Sequence, residues 1–200
     1  MHTRVVTFTG ANDIDAGVDF ARERVVPMLR EHKGYRGLTA SADREAGLFA
    51  VLTLWDTAAE RDATEGTLAP IRQEANDLIG GKVDVETFEQ IASEVGDQPP
   101  APGSALMVTR VSMDPSKVDD NISYFLEEVM PRIKATPGFQ GLRHMVNRET
   151  GIALVGTVWT DDAKRTAAAD EAMSRRPDAI ARGISFDDVS YREILLTEML

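Results

Sequence analysis

Apolar positions along this chain recur with two spacings, and the spacing switches at regular intervals. Residues 4–9 (Arg-Val-Val-Thr-Phe-Thr) are short and β-rich and predict a strand. Ile14, Val18, Ala21, Val25 and Leu29 then fall on one face of a helix, which Asp13 or Asp15 can cap. Pro27 sits late in that run and should kink or loosen its last turn, and Gly34 ends it. Residues 35–43 and 47–55 predict two strands joined by Arg44-Glu-Ala-Gly47. Asp56 or Thr57 can cap a second helix to about Leu78, which Gly80-Gly81 stops. Residues 83–91 predict a fourth strand, so the unit reads β-α-β-β-α-β.

The second half repeats this plan. Residues 106–113 predict a strand, and about 115–135 a helix with Val118, Ile122, Phe125, Val129 and Ile133 on one face. Two strands (139–147 and 151–159), a helix (161–176) and a last strand (186–194) follow. The halves also match in identity. Residues 25–61 align without a gap on 129–165, with 13 identities in 37 positions, among them Pro27/Pro131, Gly47/Gly151, Thr53/Thr157 and Trp55/Trp159. Self-similarity at a fixed offset marks a duplicated structural unit.

The expected organisation is α+β. Two ferredoxin-like repeats, 1–92 and 105–200, are joined by a Pro-rich linker, 93–104. Such a sheet carries helices on one face only, and its other face must be covered. Two copies in one chain can pack sheet to sheet, an intrachain version of a dimeric α+β barrel. A monomer containing a pseudo-dimer is expected, with homodimerisation allowed but not required.

Hairpin geometry predicts which side chains share a face. A three-residue loop ending in Gly151 sets Arg148 opposite Ile152. Arg143 then falls opposite Thr157 and Asn147 opposite Ala153, on the face of Trp159, with His144 on the other. A loop shorter by one residue would exchange the two sets. Arg110 lies mid-strand, where a charge needs a partner or a ligand.

Composition then narrows the chemistry. The formal net charge of −11 and the lack of Lys/Arg runs oppose nucleic acid and anionic membranes as partners. No cysteine is present, which removes disulfides, thiolate catalysis and Cys-based metal sites. His2, His32 and His144 are too far apart for a local metal motif, and no metal is expected. No apolar stretch is long enough to span a membrane, and no secretion signal is evident. A cytoplasmic protein with a small-molecule ligand or substrate is the expectation.

At Thr53-Leu-Trp55-Asp and Thr157-Val-Trp159-Thr, each after a strand of the form Tyr/Phe-x-Gly-Leu, the chain resembles the antibiotic biosynthesis monooxygenase family. Thr136-Pro-Gly-Phe139 and the order of elements carry the same likeness over residues 4–91 and 106–194. The resemblance implies dimeric α+β barrels. It also implies one of several activities, including cofactor-independent oxidation of quinols and haem degradation, or none. The haem-degrading branch uses a His about ten residues past the Trp. Glu65 and Ala169 stand there instead, so no haem is expected. For the quinol-oxidising branch, which uses no cofactor, the candidate substrate-binding residues are Trp159, Thr157, Arg143, Arg110, Asn147 and Trp55. The expected activity is cofactor-independent monooxygenation of an aromatic or polyketide-like substrate. The alternative is a non-catalytic binding or regulatory barrel, because no general base is evident from the residues.

Overall fold

A computed structural model describes residues 1–200. The fold is α+β. Its eight strands are β1 (His2–Thr9), β2 (Tyr35–Asp43), β3 (Leu48–Trp55), β4 (Lys82–Val95), β5 (Ala105–Ser112), β6 (Phe139–Asn147), β7 (Ile152–Trp159) and β8 (Ser185–Met199). They form a closed antiparallel barrel in the order β1-β3-β2-β8-β5-β7-β6-β4. The fold class read from the repeat is the one found.

The chain divides into two compact units, 1–87 with 192–200, and 88–191. These cuts differ from the repeat bounds because the last strand of each repeat runs on past its expected end. β4 continues to Val95 and pairs with β6, from Glu89↔Val146 to Val95↔Gly141. β8 continues to Met199 and pairs with β2, from Ala42↔Glu193 to Gly37↔Met199.

Unit one holds α1 (Ile14–Phe20), α2 (Val26–Arg30), α3 (Ala58–Ala63) and α4 (Glu65–Ile79). Unit two holds α5 (Val118–Tyr124), α6 (Met130–Ala135) and α7 (Asp162–Ala181). Helix starts follow short polar side chains. Asp13 accepts from the Ala16 N–H, Thr57 from that of Glu60 and Asp161 from that of Lys164. Between α1 and α2, and again between α5 and α6, the helix opens into a π-turn, Ala21–Val25 and Phe125–Val129. The Val26 N–H reaches back five residues to Ala21, and the Met130 N–H to Phe125. Each wide turn ends two residues before a proline, Pro27 or Pro131, whose ring would clash with the carbonyl four residues back. The loosened turn expected at Pro27 is therefore present, and it recurs at Pro131.

The hairpin register differs from the expected one and reverses the faces. Asn147 pairs with Ile152, His144 with Val155, Arg143 with Gly156 and Leu142 with Thr157. The loop is four residues long, not three. Its cause is local: the Asn147 side-chain oxygen accepts the N–H groups of Glu149 and Thr150, both at 3.1 Å. That Asx turn ends the ladder one residue early. Asp43 does the same for Glu45 and Ala46 in unit one. Gly47 and Gly151 close the loops at positive φ, 60° and 71°.

The two glycines differ in what a methyl group would meet. At Gly151 an added Cβ would sit 2.0 Å from the Met113 carbonyl oxygen, whereas at Gly47 the nearest atom, the Ala11 oxygen, is 3.2 Å away. Both substitutions to Ala carry the left-handed backbone penalty of about 1–2 kcal/mol. Gly151→Ala should cost clearly more than Gly47→Ala, read as a larger drop in urea midpoint at unchanged slope.

Candidate functional site

In unit two, β5, β6 and β7 present one face to α5, α6 and α7, and a cavity of about 150 Å³ lies between them. Met107, Thr109, Val111, His144, Val146, Val155, Thr157 and Trp159 form its floor. The π-turn supplies Phe125, Glu128 and Val129, and α7 supplies Ala168, Ala172, Arg176 and Ala179. The walls are largely apolar. The space is open at one side, so it can seat one ring of a fused aromatic molecule with the remainder reaching outward.

Trp159 and Thr157 are brought together here as expected. Both are almost fully buried, and the indole N–H donates to the Thr157 hydroxyl at 3.3 Å. The ring is held edge-on by Phe139, centroids 5.9 Å apart. Trp55 has the same internal arrangement, donating to Thr53 at 3.0 Å and meeting Tyr35 at 5.6 Å, but it is sealed in the core of unit one and does not line that unit's small cavity.

The other candidates lie elsewhere. Arg143, Arg110 and Asn147 do not line the cavity, and the observed pairing puts them on the opposite face of the sheet from Trp159. The expectation that placed Arg143 beside Trp159 is thus overturned by the four-residue loop. Arg143 donates to Gln90 at 2.6 Å, and burial lowers its guanidinium pKa. Asn147 serves the turn.

The exchange of faces brings in His144 instead. Its side chain lines the cavity, is 4% exposed, and packs on Phe125 with ring centroids 4.1 Å apart. Its Nδ1 is buried without a hydrogen-bond partner. Burial lowers its pKa to about 4, so the ring is neutral at pH 7. A buried polar atom left unsatisfied costs stability and calls for an explanation. The three-residue loop expected from the sequence puts this residue on the face opposite Trp159. The signal that would have corrected it is the Asx residue, Asp43 or Asn147, just ahead of the Arg-Glu turn.

The matching space in unit one is nearly filled, about 60 Å³. Strand pairing sets Arg4 opposite Thr53 and Met107 opposite Thr157, so these two positions correspond. By the same rule Phe8 corresponds to Val111 and Phe49 to Ala153. Ala40 stands at the position of His144. Phe8 and Phe49 fill the floor with centroids 6.0 Å apart. Arg4, 3% exposed, plugs one end by donating to the Thr64 hydroxyl at 2.8 Å and the Arg61 carbonyl at 3.0 Å, and it pairs with Glu65 at 3.1 Å. Three exchanges to smaller side chains and one imidazole thus turn a packed core into a chamber.

No group of three or more His, Cys, Asp or Glu side chains is arranged to hold a metal ion. No helix is long and apolar enough to cross a membrane.

No family model matches the chain. An uncharacterized protein of Mycobacterium tuberculosis (strain ATCC 25618 / H37Rv) is 31% identical over 141 residues, 70% of this chain and 62% of that protein. The chain therefore matches less than two thirds of that relative's length. Among solved structures, an anthrone oxidase-like protein superposes with a TM-score of 0.70 at 12% identity, covering 99% of this chain and 93% of its own. A ferredoxin-fold protein of Listeria monocytogenes 4b F2365, described as uncharacterized and related to antibiotic biosynthesis monooxygenases, gives 0.54 at 9% identity, with 97% and 95% covered. At these identities the likeness is one of fold, and the fold is that of the monooxygenase-like ferredoxin-fold proteins.

Proposed function

We propose that the cavity of unit two is the active site of a cofactor-independent monooxygenase acting on an enolisable or phenolic aromatic substrate. The observation that carries this reading is His144, a buried imidazole whose Nδ1 has no hydrogen-bond partner, on the floor of an apolar chamber beside an aromatic wall. Such a base can take the proton of a bound hydroxyl, and a dry site keeps the resulting anion electron-rich. For an anthrone-type substrate the overall change converts one ring methylene and one molecule of dioxygen into one ketone carbonyl and one molecule of water. The imidazole removes the enol proton, and the enolate passes one electron to dioxygen. The radical pair joins as a carbon–peroxide bond, which takes the proton back from the imidazolium. Loss of water from the hydroperoxide leaves the ketone. Every electron comes from the substrate, so the step requires no metal or flavin. The resemblance of the fold to an anthrone oxidase-like protein agrees with this chemistry.

The test is oxygen uptake by the purified chain with anthrone and a set of naphthohydroquinones, with product identified by mass. Turnover yielding the quinone is expected. Ligands that raise the melting temperature and are never consumed would make this a binding module instead. A haemin Soret shift that is lost in His144→Ala would assign His144 to an iron and overturn the base.

A further inference from the structure

The mouth of the unit-two cavity carries three guanidinium groups, Arg132, Arg175 and Arg176. Two have carboxylate partners, Arg132 with Glu128 at 3.3 Å and Arg175 with Glu171 at 2.6 Å. Arg176 has none. Its guanidinium lies over the Phe186 ring, 4.7 Å from the centroid, at the cavity wall. A comparison within the chain shows what is missing. Advancing by 104 residues, the offset of the repeat, carries Arg72 onto Arg176, Leu68 onto Ala172 and Glu65 onto Ala169. In unit one Arg72 is neutralised by a two-pronged contact with Glu65. In unit two the carboxylate has become Ala169 and the bulky Leu68 has become Ala172, which lines the cavity. The same stretch of helix that widens the chamber also frees its cation.

We infer that the ligand of this cavity is an aromatic acid, its ring under the helices and its carboxylate on Arg176. This deepens the proposed function and rests on the same cavity. The argument is one of charge. In a chain of net charge −11, a half-buried cation held on an aromatic face with no carboxylate of its own is a site for one supplied from outside. Arg presents two parallel donors that match a carboxylate, and its stacking on Phe186 fixes their direction.

The test compares 2-naphthol with 6-hydroxy-2-naphthoate by isothermal titration calorimetry. The two share the ring and the hydroxyl and differ in the carboxylate. The wild-type protein should bind the acid roughly tenfold tighter or better, as a net gain of about 1.4 kcal/mol implies. Arg176→Gln should bring the two probes to parity by weakening the acid. Ala169→Glu, which restores the partner found in unit one, should also abolish the preference with the arginine still present. Equal affinity in the wild type, or a preference that survives both substitutions, would overturn the inference. Failure of both probes to bind would overturn this inference and the proposed function together. A preference for the acid in a protein that consumes no oxygen would remove only the oxygenation and leave the anion site standing.

Discussion

Replacing His144 with Ala should abolish turnover while leaving a folded protein, and it should remove a specific acid sensitivity. On the activity side, loss of a positioned base costs about 10²–10⁴ in rate. Binding of the aromatic ring should survive, because the apolar walls remain and the void grows, so kcat falls and Kd does not rise. On the stability side, the sign follows from the direction of the shift. The folded-state pKa of His144 is lowered to about 4 by burial, below the ordinary value of 6.5. The unfolded chain therefore takes up this proton first as pH falls. The penalty is absent above about pH 6.5, grows through the window down to about 4, and is then constant. The gap is worth about 3 kcal/mol at full extent. Carboxylates held low by partners, such as Asp62 beside Arg61 and Glu65 beside Arg72, add their own acid loss at lower pH in both proteins. Urea midpoints of wild type and His144→Ala should thus converge between pH 6.5 and 4. Parallel curves would show that His144 carries no buried proton deficit. A pH–rate profile of kcat/KM should fall only near pH 4–5, where the imidazole is protonated.

The architecture was legible in the sequence because it is written by periodicity, and periodicity is repeated. Pro27 announced a loosened turn, a π-turn stands just ahead of it, and the repeat carries the same device to Pro131. Trp159 and Thr157 were legible as a pair because their two-residue spacing puts both on one face of a strand, whatever its register. The polar members of the candidate site were not legible, since one residue of loop length decides which face each one takes. Arg143, Asn147 and His144 all changed sides together when Asn147 closed the turn. The freedom of Arg176 was also hidden. It depends on the absence of a carboxylate at Ala169, which becomes visible only once Arg72 and Glu65 are seen paired in the companion unit.

The comparison between units leads to the second large expected effect. Val111→Phe should close the chamber and eliminate ligand binding without unfolding the protein. Phe8 occupies the corresponding place in unit one, where its ring meets Phe49. In unit two the residue opposite is the small Ala153 and Val111 borders the cavity, so a ring at 111 has that space to enter. Overpacking in a filled core costs about 1–3 kcal/mol, and a pre-existing void should hold this substitution to the lower part of that range. The affinity for either naphthol probe should fall by roughly tenfold or more, since the ring loses the space it would occupy. The reciprocal change, Phe8→Val with Phe49→Ala, should destabilise unit one by several kcal/mol, about what cavity creation costs at two buried rings. Even where it binds a ring, it should produce no quinone, because Ala40 stands where His144 supplies the base. If Val111→Phe binds and turns over like the wild type, the chemistry does not occur under the helices of unit two. Space alone does not make the site, and the imidazole alone does not either. The second unit differs from the first in having both.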